Sequence, residues 1–364
     1  MKLKKIREKA DREAESLQVP ESIRTPGRTW TRYPDNLKEK LEVSKDMIEP
    51  EIETEGDVDV YTGKEGMEEA GDKAFDLIKH NENTINALHA ANVNSFIYAE
   101  LKDSSELHVK YIENNPVLSH LVVNTEKNTS ATVTEETSSG DFNTSFTEIY
   151  VGENASVEYG AVEKNGEFSY SRRKAITKKY GSINWLNGIF TGDLNRTKIE
   201  TVLKGDDSET EMTGVWYPSG KQHHDISLNV KHIGDGTKCD MDSRSVVDHK
   251  ARSLYEGLQK VEQTAFNTSS FQDQETLMLS DNSESDASPK LMIENPDVEA
   301  SHAAAAGTVE KEKQHYLESR GLSQDKAERL VVKGFFEPVM KQIRVTRVKE
   351  KIREEVQRKL DEKQ

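Results

Sequence analysis

One thiol and a few imidazoles are the side chains of this 364-residue chain with most to offer chemically. Cys239, in GTKCDMDSR, is the single cysteine. As a thiolate it would serve as a metal ligand or sulfur carrier, and the nearby Lys238 and Arg244 would lower its pKa. As a thiol it would be a small buried hydrophobe. Asp240, Asp242 and Glu256 are the carboxylates within reach. A regular strand turns Asp240 away from Cys239, so Glu256, from an adjacent segment, is geometrically no worse a companion. His302 stands among alanines in ASHAAAAG, where a neutral imidazole suits metal binding or proton carriage, or simply orders a strand. His223 and His224 are neighbours and would face opposite ways on a strand, so they cannot chelate one metal and read, with His249, as surface-turn residues. Arg172, Arg173 and Lys174 read as the lining of an exposed strand. One cysteine excludes an internal disulfide framework and any four-cysteine metal site within one chain. No GxxxxGK[ST] phosphate loop and no nucleophile–base pair is present, so ATP would be handled only by a partner.

The elements that must hold these residues fall into three regions. Residues 1–92 begin with an amphipathic helix carrying Ile6, Ala10, Ala14 and Leu17. A proline-rich extended connector, VPESIRTPGRTWTRYPD, follows. Next comes an acidic linker or arm, with eleven acids against two bases over residues 41–70, and then helical sequence from about Glu68 to Leu88. Residues 93–309 change texture. Short segments rich in Val, Ile, Thr, Ser and Tyr recur every 10–15 residues between Gly, Asn and Asp, a mainly β block. No helix-length periodicity interrupts it, and its strands carry many Ser, Thr and Asn, which favours stacked coils over a sandwich. Residues 310–364 are helical: Thr308 and Ser323 are the expected N-caps, Gly321 and Gly334 the expected stops, and a last helix carries Val345, Val348, Ile352, Val356 and Leu360.

Composition narrows the function. Net charge is −16 and 34% of residues are hydrophobic, which argues against a nucleic-acid binder and for a thin or elongated core. No apolar run is long enough for a membrane span, and the charged N-terminus is unlike an export signal, so a cytoplasmic protein with no membrane partner is expected. The Asn-x-Ser/Thr triplets at Asn128, Asn143, Asn154, Asn195 and Asn267 then read as ordinary polar β-sequence. Residues 341–364 hold nine bases against five acids, a face suited to solvent, to an acidic partner, or to the acidic segment of another copy.

The segment LMIENPDVEASHAAAAGTVEKEKQHYLESRGLSQDKAERLVVKGFF resembles the signature of the SufB/SufD family, the scaffolds of iron-sulfur cluster assembly. SRSVVDHKARSLYEGLQKV and LMLSDNSESDASPKL are similar to the family's text, and the resemblance spans roughly Tyr150 to Phe336. It implies a right-handed parallel β-helix between N- and C-terminal helical regions. It also implies pairing with a second scaffold copy or a SufB-type partner, and docking of a SufC-like ABC ATPase on the C-terminal helices, for which Tyr316, Arg320, Gly321, Gly334, Phe335 and Phe336 carry the matching text. A transient cluster, [4Fe-4S] in type, would form where two β-helices meet, with Cys239, His302 and Glu256 as candidate iron ligands shared across a dimer. Gln274 stands where SufB-type sequences place their assembly cysteine, and Ser301-His302-Ala303 is the SufD-like form. The expectations are thus a non-catalytic scaffold, as a homodimer of a minimal archaeal type, or a SufD-like supporting subunit without its own cluster ligands. A carbohydrate-active β-helix enzyme is the rival reading, and the C-terminal helical module argues against it.

Overall fold

The computed structural model describes residues 2–19, 31–41, 47–113, 116–140, 142–164 and 166–362. Most of the proline-rich connector lies outside the described residues. A parallel β-solenoid forms the body, with helices at both ends of the chain. Among the described residues no helix is long and apolar enough to cross a membrane.

The N-terminal elements are α1 (Lys2–Ala14), α2 (Leu37–Leu41), β1 (Glu51–Thr62), α3 (Gly63–Ala70) and α4 (Thr84–Asn92). β2 (Ser95–Glu113) then starts the solenoid by serving both of its columns. Its first half pairs with β3 and its second half with β4, around a corner at Asp103. One column continues as β3 (Leu118–Thr125), β5 (Phe142–Val151), β7 (Phe168–Thr177), β9 (Leu194–Leu203), β11 (His223–His232), β13 (Arg252–Val261) and β15 (Glu284–Ile293). The other is β4 (Ser130–Ser139), β6 (Ser156–Glu163), β8 (Ser182–Ile189), β10 (Glu209–Trp216), β12 (Lys238–Val247), β14 (Thr268–Met278) and β16 (Val298–Thr308). Every neighbouring pair within these columns is parallel. Each coil therefore contributes one strand to each column, and alternate side chains of both point into a shared core.

The corners explain much of the asparagine usage. Asn128, Asn154, Tyr180, Asp207 and Asn267 all have positive φ, and Gly236 takes the same place in its coil. Their amides bond to the next coil, Asn128 to the Glu153 carbonyl and Asn154 to that of Lys179. Asn and Asp tolerate the left-handed region better than other side chains. Three of the five Asn-x-Ser/Thr triplets are thus corner residues. Asn143 and Asn195 are buried instead, Asn143 accepting from the Val117 amide and Asn195 donating to Glu163.

The acidic stretch is not a loose arm. β1 pairs antiparallel along the length of β2 and packs Ile52, Val58 and Val60 against the core, which closes the first coil. The helix anticipated from Glu68 is split into α3 and α4. Ile78, Ile85 and Leu88 from this region cover Phe142, Phe146, Phe168 and Leu194 on the outer face of one column.

The C-terminal helices cover the outer face of the other column. These are α5 (Lys311–Ser319), α6 (Gln324–Gln342) and α7 (Thr346–Asp361). The four-residue spacing of Val348, Ile352, Val356 and Leu360 puts all four on the buried side of α7. Gly160 and Gly188 make room for it: a Cβ at Gly160 would lie 2.4 Å from a Val348 methyl, and one at Gly188 2.8 Å from Ile352. Ser323 caps α6 as expected, accepting from the Lys326 amide, and Gly321 has φ +92° at the end of α5. Two boundary expectations fail. Thr308 remains in β16 while Glu310 precedes α5, and α6 runs through Gly334 to Gln342. Burial of Phe336, Val339 and Met340 outweighs the roughly 1 kcal/mol helix penalty of glycine.

Candidate functional site

The two ends of the solenoid differ. β1 closes the N-terminal end, whereas β15 and β16 form the last coil and β16 is exposed along nearly all of its length. Register fixes what reaches this open end. One inward ladder of the β16 column runs Leu107, Val133, Tyr159, Trp185, Met212, Met241, Gln272, His302. Its neighbour runs Ser105, Ala131, Val157, Ile183, Thr210, Cys239, Ser270, Ala300. His302 thus occupies a core-facing register but is exposed, because β16 is the final strand of its column. The lining turns polar towards this end: β14 contributes Ser270, Gln272, Gln274 and Thr276, all buried. Gln259 bridges two coils, donating to Gln272 Oε1 at 3.2 Å and to the Ser301 carbonyl at 3.3 Å. Gln274 donates to Thr276 Oγ1 at 2.7 Å.

Cys239 lies two coils in from the open end, about 10 Å at the usual strand spacing. It is 3% exposed and belongs to the apolar core with Met241 and Tyr255. Burial, helped by Asp240, pushes its thiol well above the ordinary range, with the Ser270 hydroxyl opposing. The expected lowering by Lys238 and Arg244 does not occur. Lys238 is exposed, and Arg244 is on the outer face, paired with Glu275 and over the Phe335 ring. A residue that sequence reasoning missed stands behind the thiol. His232 Nε2 is 3.1 Å from Ser270 Oγ, and its Nδ1 is 2.9 Å from Thr237 Oγ1. Thr237 gives its proton to the Gly234 carbonyl, so Nδ1–H donates to Thr237 and Nε2 is free to accept from Ser270. Burial lowers His232 to about 4, so the imidazole is neutral, and its partner Ser270 is the register neighbour of Cys239.

Glu256 does not join Cys239. It is in the opposite column, in register with Ser227 and Ser288, and pairs with Lys290 at 2.5 Å. Among the described residues, no three His, Cys, Asp or Glu side chains converge as a metal site. Cys239, His302 and Glu256 therefore make no ligand set within one chain.

A second feature adjoins the open end. A cleft of about 830 Å³ lies between the end of β16, α5 and α6, lined by Ala305, Gly307, Tyr316, Leu317, Leu330, Gly334 and Phe335 among others. Tyr316 is 57% and Leu330 50% exposed. Arg320 stacks its guanidinium over the Tyr316 ring at 5.3 Å, and Gly321 is exposed beside it. Phe336 departs from its expected role: it is buried with Val332 and Val339 in the chain's own core, since successive helical residues face different sides.

Other sequence expectations are corrected by the fold. Arg172 and Arg173 are buried, not surface lining. Arg173 is inside the solenoid, donating to Glu163 Oε1 at 2.7 Å and to the Tyr159 hydroxyl at 2.9 Å. Tyr159 in turn donates to Glu135, whose carboxyl is raised chiefly by burial. Arg172 bridges Glu82 and Glu200, each at 2.9 Å. His224 is fully buried and His223 half-buried, both within β11 and not in a turn; only His249 is an exposed turn residue. The basic C-terminus meets acids of its own chain, with Arg344 bonding Glu158 and Glu211 and Arg347 bonding Glu53.

The fold is a parallel β-solenoid flanked by helices, covered by β1 at one end and lined by neutral polar side chains at the other. Comparison with known proteins supplies the family. Residues 108–335 match the family model described as SUF system FeS cluster assembly, SufBD core domain. This match starts well before Tyr150, so it takes in the first coils as well. The chain belongs to the SufBD family, whose members are components of iron-sulfur cluster assembly scaffolds. It is 31% identical over 320 residues to the iron-sulfur cluster assembly protein SufD of Bacillus subtilis, covering 83% of this chain and 73% of that protein. A SufBD family protein of Pyrococcus horikoshii is 26% identical over 281 residues, covering 73% and 63% respectively. One from Mycobacterium bovis is 27% identical over 198 residues, covering 54% of this chain and 23% of its own length.

Proposed function

We propose that the chain is a SufD-like scaffold subunit that pairs with a second β-solenoid through β15 and β16 and carries a SufC-like ABC ATPase on the cleft beside α5 and α6. The observation that carries the reading is the uncapped final coil. Among the described residues no strand pairs beyond β16, whose second half is Ala303–Ala306, with Met292 and Ile293 of β15 50% and 43% exposed beside it. Proteins normally block such an edge with charge or a covering element, so one left apolar suits pairing with another chain. The nascent cluster is cargo in this scheme. His302 would meet it at the junction, whether the other solenoid is a second copy or a SufB-type partner. ATP-driven closure of the ATPase would move α5 and α6 against the end of β16.

Cys239 fits a supporting subunit better than a cluster ligand, because its thiol is buried and held neutral. The test is anaerobic purification with the ATPase, followed by light scattering and by iron and sulfide analysis. Ala304→Glu places like charges at the paired edges and is expected to weaken scaffold pairing about a hundredfold. Leu330→Asp is expected to release the ATPase and leave pairing intact. If both variants assemble like wild type, the docking assignments fail. Loss of iron in Cys239→Ser would return the thiol to the ligand set and the chain to a cluster-building homodimer.

A further inference from the structure

A second cavity, on the corner that precedes β11 and β13, gathers positive charge in a chain whose net charge is −16. Its volume is about 460 Å³, and it is lined by Arg32, Lys221, His223, Lys250 and Arg252, with Asp193 and Leu194 completing the wall. Two arginines and two lysines thus face Asp193, and Glu284, 3.3 Å from Arg252, partly offsets a single guanidinium.

The solenoid builds this cluster by stacking. Leu194, His223 and Arg252 are in register on β9, β11 and β13. The turns that precede β11 and β13 stack as well, the Lys250 amide donating to the Gly220 carbonyl at 2.9 Å. Lys221 and Lys250 therefore project from adjacent coils, whose backbones are separated by about 4.8 Å. Like charges on neighbouring strands repel, and no ion pair to an acid neutralises either lysine among the described residues. Lys359 adds to the field from below: it is 4% exposed and donates to Ser219 Oγ at 3.0 Å and Gln222 Oε1 at 2.7 Å in the same turn.

Thr31 Oγ1 donates to Asp225 Oδ2 at 2.5 Å and lies 3.2 Å from His223 Nε2, which anchors the segment carrying Arg32. Arg196 holds Asp225 from the other side at 2.5 Å. Burial depresses the His223 imidazole, with Asp225 opposing, so the ring is a neutral hydrogen-bonding wall among the cations.

We infer that this cavity binds a small polyanion bearing two adjacent phosphate groups. Two arginines supply planar forks that match phosphate oxygens, and two lysines supply point charges. The cavity is in the size range of small-molecule sites and is too large for a single phosphate. Among the described residues these basic side chains line one cavity, and a net charge of −16 argues against a nucleic-acid surface. The inference does not depend on the scaffold reading.

Isothermal titration calorimetry of the full chain, with inorganic phosphate, pyrophosphate and ADP as probes, tests it. Saturable one-to-one binding of pyrophosphate or ADP is expected, at least about tenfold tighter than phosphate and weakening with salt. The double variant Lys221→Gln/Lys250→Gln, and separately Arg252→Gln, should each weaken it about tenfold or more. Lys127→Gln, at an exposed pair with Glu153 on another corner, should leave binding unchanged. No saturable binding of either diphosphate, equal affinity for phosphate, or wild-type affinity in both cavity variants overturns the inference.

Discussion

The first and last coils are built from the same kind of strand yet meet solvent in opposite ways. At the N-terminal end β1 covers β2 and presents Glu51, Glu53, Glu55, Asp57 and Asp59, a charged edge that repels further strands. At the C-terminal end β16 presents Ala303 to Ala306 with no charge among them. The interiors differ too. Near the capped end the buried polar groups include an ion pair, with Arg173 set between Glu163, Tyr159 and Glu135. Near the open end they are neutral amides, hydroxyls and one imidazole. The same coil geometry therefore ends once in a charged, covered edge and once in an open apolar one, and the two ends differ in edge composition and in interior charge.

The largest effect should come from Arg173→Met. It leaves two carboxyl groups buried without their cation and should cost about 3–5 kcal/mol in urea unfolding. A loss below about 1 kcal/mol would mean that the capped half does not depend on its buried ion pair. Acid titration should report on the open half next. His232 has a folded pKa of about 4 against an ordinary 6.5, so between those values the unfolded chain binds more protons. Its contribution is full above pH 6.5 and is lost as pH falls towards 4, roughly 3 kcal/mol in all. That component should vanish in His232→Gln, and an unchanged slope would remove His232 from the account. The smallest effect is expected at His302. Exposed and without a hydrogen-bond partner among the described residues, its replacement by Ala should alter stability by less than about 0.5 kcal/mol while impairing assembly. A larger destabilisation would make His302 a structural residue of the last coil.

Strand texture and spacing favour stacked coils without excluding a sandwich, since Val, Thr, Ser and Tyr in short segments with Asn and Gly corners suit both, and the family resemblance is what singles out the solenoid. The apolar stripes of α1 and α7 were equally legible, because helical periodicity is local. The acidic stretch was misread for a physical reason. An edge strand keeps its charges on solvent, so its composition resembles a linker until its partner is known. Arg172 and Arg173 misled in the reverse sense, as their burial depends on Glu82, Glu163 and Glu200, acids outside their own strand.

The sequence alone determined the coil repeat, the helical segments at either end and the candidate side chains, because periodicity and turn chemistry act over a few residues. Tertiary structure decided which of those candidates meet. Stacking register sent Cys239 inward beside Ser270 and His232, left His302 at the open rim, and put Glu256 on the opposite column. It also brought Lys221, Lys250 and Arg252 to one cavity with Arg32. Such encounters depend on which coil lies above which, and that order is set by the whole core rather than by any one segment.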